Sequence, residues 1–270
     1  MAIIGSNLAA INAANYYSVN NDALTNSISQ LASGSALANP VDNPAGVAVS
    51  GNLSAQVGNL SAASQGVEDV VSLGQTVDGY LSTVQQGVSQ LSALAIQASN
   101  GALNPQDTQD YSTVFNSIQS ALTTITNNAS FNGTPVFTNG SVTTSVNASG
   151  TQASLSLSTT GTPSSLGISN LDISTQAGAQ AAIQPLANAV SLIGSRRAQV
   201  NADVSAFNFY NSNIQTQSIN AQAANSRISD LNVAQETAAN SKNSILTRAS
   251  ISVLAQANAT QASVSELLLG

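Results

Sequence analysis

Asp107 and Asp110 stand three residues apart just after Pro105, so a helix starting there would carry both carboxylates on one face. Such a pair could hold Ca²⁺ or move a proton. The simpler reading, preferred here, is that negative charge favours a helix N-terminus. Glu68 and Asp69 form a second acidic pair, read as facing solvent. Arg196 and Arg197 could meet a carboxylate on another molecule, or be solvated or paired locally; the sequence leaves both open. Ser141, Thr143, Thr144 and Ser145 lie in a hydroxyl-rich stretch and are candidates for O-glycosylation, with plain solvation the simpler role. Asn-X-Ser/Thr triplets at Asn139 and Asn147 are expected by chance in so Asn- and Ser-rich a chain.

Absences narrow the chemistry further. The 270 residues include no His and no Cys. That removes His-based triads, the usual general base, the commonest zinc ligand, the H-E-x-x-H protease motif and all thiol chemistry. Charged residues make up 6%, against roughly 25% in ordinary globular domains, so Asn, Gln, Ser and Thr must supply the polar surface. Hydrophobic content of 42% still allows a core. The net charge of −7 is uneven: residues 1–195 hold eight acids and no base, and all five bases follow. A nucleic-acid binder needs a basic stripe, and none is present. The opening "MAIIGSNLAAINAANYYSVN" lacks a Sec signal's basic and apolar regions, and no run reaches 18 apolar residues. The expectation is a protein without cofactor, metal, nucleic acid or membrane insertion, and not an enzyme.

The elements follow from spacing. Ile4, Leu8 and Ile11, then Leu24, Ile28 and Leu31, step by four and three along a helix that Gly34 would end. "SGSALANPVDNPAG" (33–46) reads as a loop or hinge. One helical segment is expected over roughly 46–64. A second carries Val70, Val77, Leu81, Val84, Val88, Leu91 and Ala95 and stops at Asn100-Gly101. A helix from Pro105 to about Asn128 carries Tyr111, Phe115, Ile118, Leu122 and Ile125. Residues 129–165 turn Gly-, Ser- and Thr-rich; "VTTSV" and "SLSLS" alternate with period two, and Asn132-Gly133 and Asn139-Gly140 are turn signals. A long helix then runs from about 175 to 231. Leu186, Val190, Ile193, Val200, Val204, Phe207, Ile214, Ala221 and Ile228 lie on one heptad frame, with Arg197, Asn211, Ser218 and Asn225 in its other slots. Its part from 197 on is expected to meet the seams of 70–98 and 111–128. A last helix passes through Ile245, Val253, Val264 and Leu268. The fold class is mainly α: a long antiparallel coiled-coil or bundle rod with a small β-hairpin tip in mid-chain.

Five ordered blocks resemble bacterial flagellin: "ALTNSISQLASGSALANPVDNPAGVAVSGNL" (23–53), "VSQLSALAIQASNG" (88–101), "ASFNGTPVF" (129–137), "LGISNLDISTQAGAQAAI" (166–183) and the segment from Arg227 to Gly270. Only about 138–165 is unmatched. The resemblance implies D0 terminal helices (1–40 and 232–270), a D1 helical bundle (41–137 and 166–231) and a short exposed tip (138–165), without further outer domains. It implies a subunit, exported unfolded by the flagellar type III apparatus, that builds the extracellular filament for swimming. Its partners would be other copies of itself, an export chaperone, and hook-junction and cap proteins. The alternative within the fold is the hook–filament junction protein.

The resemblance assigns polymerisation to the D0 seam of Ile4, Leu8, Ile11, Leu24, Ile28, Leu31, Ile245, Val253, Val264 and Leu268. This seam is expected to press first on its own chain and then on other copies. D1 packing falls to Val77, Leu81, Val84, Val88, Leu91, Phe115, Ile118, Leu122, Val200, Val204, Phe207 and Ile214. In the family a Toll-like receptor reads the D1 helix. Gln90, Ser92 and Ala93 stand where that helix is usually charged, while Leu94 and Gln97 fit the pattern. Asn43 and Pro44 stand where Asp and Ala are common, which is expected to stiffen the hinge.

Overall fold

The computed structural model describes residues 7–269, with the side chains of Ser265 and residues 267–269 left out. Ile4 and the Leu268 side chain therefore lie outside the described residues. Five helices and two hairpins follow in the order α1 (Leu8–Ser33), α2 (Pro44–Ala98), α3 (Pro105–Asn128), β1 (Ser130–Phe131), β2 (Thr134–Pro135), β3 (Gly140–Ser145), β4 (Gln152–Leu157), α4 (Gln176–Ser229) and α5 (Val233–Leu269).

Local chemistry sets the boundaries. The Asn7 side chain accepts from Ala10 N at the start of α1. Gly34 ends that helix at φ 69°, a left-handed position suited to glycine. Asn43 Oδ1 accepts from Gly46 N at 2.8 Å, and Pro44 occupies the first turn of α2. Asn43 and Pro44 thus make a helix start, since Asn caps well and Pro is tolerated at the first position. The gap expected between helical segments at 64 and 70 is not there: α2 is one helix of 55 residues. Ala63 and Val67 carry the buried face through the gap. α3 begins in a full capping box, with Asn104 and Asp107 each accepting from the other's backbone N–H.

β1 and β2 join through Asn132 (φ 47°) and Gly133 (φ 78°), the two-residue turn that Asn-Gly favours. Asn139-Gly140 is not a hairpin turn; Gly140 opens β3, and Asn139 Oδ1 accepts from Thr159 N at 3.4 Å. β3 pairs antiparallel with β4, with Val142 opposite Leu155.

The chain divides into two compact units. Unit 1 holds residues 1–56 and 219–270; unit 2 holds 57–218. Unit 2 has the hydrophobic core, built from Leu60, Val67, Leu81 and Leu91 of α2, Phe115 and Leu122 of α3, Leu155 of β4, and Leu186, Ile193, Phe207 and Ile214 of α4. Two glycines of α2 allow close approach: a side chain at Gly74 would strike Val204, and one at Gly87 would strike Leu122. In unit 1, Ala13, Ala221 and Ala257 are the apolar residues buried among those described.

Candidate assembly surfaces

The α1–α5 pair of unit 1 is held by small and amide side chains. Ala13, Asn20 and Ser27 recur every seven residues on α1; Asn243, Ser250 and Ala257 do so on α5. Asn20 Nδ2 donates to Ser250 Oγ at 3.1 Å, Asn243 Nδ2 donates to Ser27 Oγ at 3.4 Å, and Asn7 Nδ2 donates to Ala257 O at 2.8 Å. Ala13, Ser27, Thr247, Ser250 and Ala257 are buried. This seam was not among the sequence candidates. Its signal was the strict seven-residue repeat of small residues, which carries little hydropathy.

Most large apolar residues of these helices are exposed, and Tyr16, Leu246 and Val253 border the seam in one groove with Ala13, Asn20 and Ser250. Leu8 is 68% exposed and Ile11 51%, and Ile28, Ile245, Val253 and Val264 are exposed as well. Leu24 and Leu31 are half-buried. The expected order, own chain first, is therefore corrected for Leu8, Ile11, Ile28, Ile245 and Val264, while Val253 borders α1 of its own chain: a narrow stripe of small residues already fills most of the own-chain contact. Tyr16, Val19, Leu246 and Ile251, which were not candidates, extend the exposed apolar surface. Isolated exposed apolar residues are ordinary, but so many along two helices make this pair a candidate interaction surface.

Polar layers punctuate the α2–α4 seam. In unit 2, Arg197 Nε and Nη2 donate to Asp78 Oδ1 and Oδ2 at 2.9 and 3.1 Å, and Nη1 donates to Gln85 Oε1 at 3.0 Å. Ser64 Oγ donates to Asn211 Oδ1 at 2.7 Å. In unit 1, Ser50 Oγ donates to Asn225 Oδ1 at 2.7 Å. Arg197, Asn211 and Asn225 are fourteen residues apart, and so are their partners Asp78, Ser64 and Ser50. Within unit 2 the seam after Arg197 thus runs along α2 from Asp78 back to Ser64, lower on α2 than most of the expected 70–98. α3 lies beside Gly87 of α2, where Leu122 packs, and its Gln119 donates to Ile168 O.

Val77, Leu81, Val84, Val88, Leu91, Phe115, Leu122, Val200, Phe207 and Ile214 are buried; Ile118 and Val204 are partly buried against the same core. On the outer side of α2, Gln90, Ala93 and Gln97 are exposed, while Ser92 and Leu94 are half-buried.

The sites considered for chemistry resolve into structural roles. Asp107 belongs to the capping box, and Asp110 accepts from Gln106 Nε2 at 3.1 Å. No group of three metal-ligating side chains exists among the described residues. Glu68 and Asp69 are exposed. Of the two readings left open for the arginines, the local one holds: Arg197 pairs with Asp78, and Arg196 donates to Ser156 O of β4. The hydrogen bond from Arg197 pulls the Asp78 carboxyl below its usual range against the opposing effect of burial, helped by the Arg197 charge and by Asn201. The same bond raises Arg197, and burial lowers Arg196. Ser141 and Thr143 are exposed, whereas Thr144 and Ser145 are half-buried, with the Thr144 hydroxyl against Gly66. Only the first two hydroxyls are therefore open to a large modification. No helix among the described residues is long and apolar enough to cross a membrane.

Two family models match the chain. The bacterial flagellin N-terminal helical region covers residues 4–143, and the bacterial flagellin C-terminal helical region covers residues 177–268. The chain is 31% identical to flagellin of Bacillus subtilis and 29% identical to flagellin of Listeria innocua, in both cases over 98% of this chain and 99% of the relative. The crystal structure of Bacillus cereus flagellin aligns with a TM-score of 0.51 at 24% identity, over 60% of this chain and 94% of that one. A putative flagellar hook-associated protein from Vibrio parahaemolyticus aligns at 0.61 with 10% identity, over 70% and 100%; both structures speak to the fold alone.

Proposed function

Because the chain belongs to the bacterial flagellin family, we propose that it is a structural subunit that self-assembles into the extracellular flagellar filament, with α1 and α5 as its polymerisation surfaces. The supporting observation is the placement of Leu8, Ile11, Ile28, Ile245, Val253 and Val264 on the outside of an α1–α5 pair already closed by small residues. Only apolar surface on other copies removes these side chains from water, each at about 1.5–3 kcal/mol when fully buried. A head-to-tail contact that does not close on itself yields a helical polymer. In this reading α1 and α5 are D0, the unit 2 bundle is D1, and β3–β4 is the exposed tip, where Ser141 and Thr143 are the glycosylation candidates. An export chaperone, hook-junction proteins and a cap protein are the further partners.

Purified protein should form long filaments visible by electron microscopy. Removing residues 1–33 or 233–270 should leave unit 2 folded and helical by circular dichroism but unable to polymerise. Filaments from either truncated chain would overturn the assignment of α1 and α5. A chain that caps seeds but never elongates would favour the hook–filament junction role.

A further inference from the structure

Unit 2 carries an apolar hole and, elsewhere on the same unit, an aromatic side chain with nothing to cover it. The hole has a volume of about 510 Å³ and opens between α2 and the two hairpins. Val70 and Leu73 line it from α2, Phe131 and Pro135 from the first hairpin, and Val142 from β3, with Asp69 beside them. Phe209 of α4 is 77% exposed. The other four phenylalanines behave differently: Phe115 and Phe207 are buried, and Phe131 and Phe137 are half-buried.

We propose that Phe209 of one copy docks into this hole on a second copy, forming a contact between the helical units of neighbouring subunits. The proposal rests on the reading of the chain as a filament subunit. Knob and hole are different patches, so each copy gives a Phe209 to one neighbour and receives one from another. That is a heterologous contact, and its repetition builds an open helical array. Charge fits as well. Asp69 places a carboxylate at the hole, and every copy carries net charge −7, so acid facing acid would repel. From Val204 to Ser226, however, α4 has no charged residue, and Asn208 and Asn213 flank Phe209 with amide groups able to donate to a carboxylate. Covering the ring shifts association by roughly tenfold to a hundredfold.

The test uses full-length protein. Phe209→Ser should leave monomer unfolding unchanged, because the side chain is exposed, and should raise the critical concentration for polymerisation about tenfold or more. The chain has no cysteine, so introduced thiols report cleanly. Thr134→Cys beside the hole and Asn213→Cys, one turn from Phe209, are made in separate chains, copolymerised and oxidised. A disulfide-linked dimer joining 134 to 213, found only in mixed filaments, is the expected result. Wild-type filaments together with an unaltered critical concentration for Phe209→Ser, or mixed filaments without the 134–213 link, overturn this contact and leave the filament reading standing. Failure of wild-type protein to polymerise overturns both.

Discussion

Arg197 and Asp78 meet fork to fork across the α2–α4 seam, two guanidinium nitrogens on two carboxylate oxygens. Because Asp78 titrates below its usual range in the folded protein, the pair stabilises the fold above the unfolded pKa and loses that contribution as pH falls through the folded value. Stability from this pair should be flat between about pH 5 and 8 and should decline below about pH 4. The raised Arg197 value keeps its share intact throughout that range. Denaturant midpoints measured across pH check this, and Asp78→Asn should flatten the acid decline. With no His to titrate, filaments should persist in moderately acidic solution, which light scattering can follow.

The inner and outer faces of α1 should respond oppositely to substitution. Ala13→Leu forces bulk into the small-residue seam and should cost about 1–3 kcal/mol of unit 1 stability. Ile11→Ser acts on a side chain that is 51% exposed, so monomer stability should move by no more than about 0.5 kcal/mol. Its effect should appear in the critical concentration for polymerisation. Urea unfolding followed by circular dichroism, paired with sedimentation of polymer, separates the two.

Removing both polar partners in one layer should be milder than removing one. Asn211→Ala leaves the half-buried Ser64 hydroxyl only its longer 3.4 Å contact to Glu68 Oε1 in place of the 2.7 Å acceptor, and should cost about 1 kcal/mol. Ser64→Ala with Asn211→Leu should be neutral or stabilising, since the third member of the layer, Glu68, is exposed and takes water in place of both donors. Unfolding midpoints of the three proteins decide between these outcomes.

The outer side of α2 presents Gln90 and Ala93 where the family usually carries charge, with half-buried Ser92 between them. Each absent charge-assisted hydrogen bond is worth roughly 1.5–3 kcal/mol. Monomer should therefore activate the flagellin-sensing Toll-like receptor weakly. A reporter-cell dose–response curve beside a flagellin with a charged helix measures this.

Legibility differed by element for physical reasons. α3 could be read because Pro105 and Asp107 mark its start in residues whose roles are local, and Asn104 completes the cap in the fold. The heptad frame of α4, with polar residues at 197, 211 and 225, foretold a seam with layers, though not which residues of α2 would answer them. The continuity of α2 was hidden because Ala63 and Gly66 interrupt the run of large apolar residues while the backbone needs no interruption. The α1–α5 seam was misplaced because hydropathy favours Leu and Ile over Ala, Ser and Asn. In unit 1 the small residues meet the same chain, and the large ones are left outside.

The fourteen-residue spacing of the polar layers also limits how the chain can go wrong. Sliding α4 along α2 by one heptad would set Asn211 opposite Val57 or Val71, stranding an amide against an apolar side chain. A slide of two heptads, about 21 Å, is the first that gives Asn211 a polar residue again, Ser50 or Asp78. A one-heptad slip is thereby penalised at Asn211, and the next match for its amide is too distant to be reached by a small slip. For a chain with two helices of more than fifty residues, the Asn211 layer works as a mark that only one nearby alignment meets.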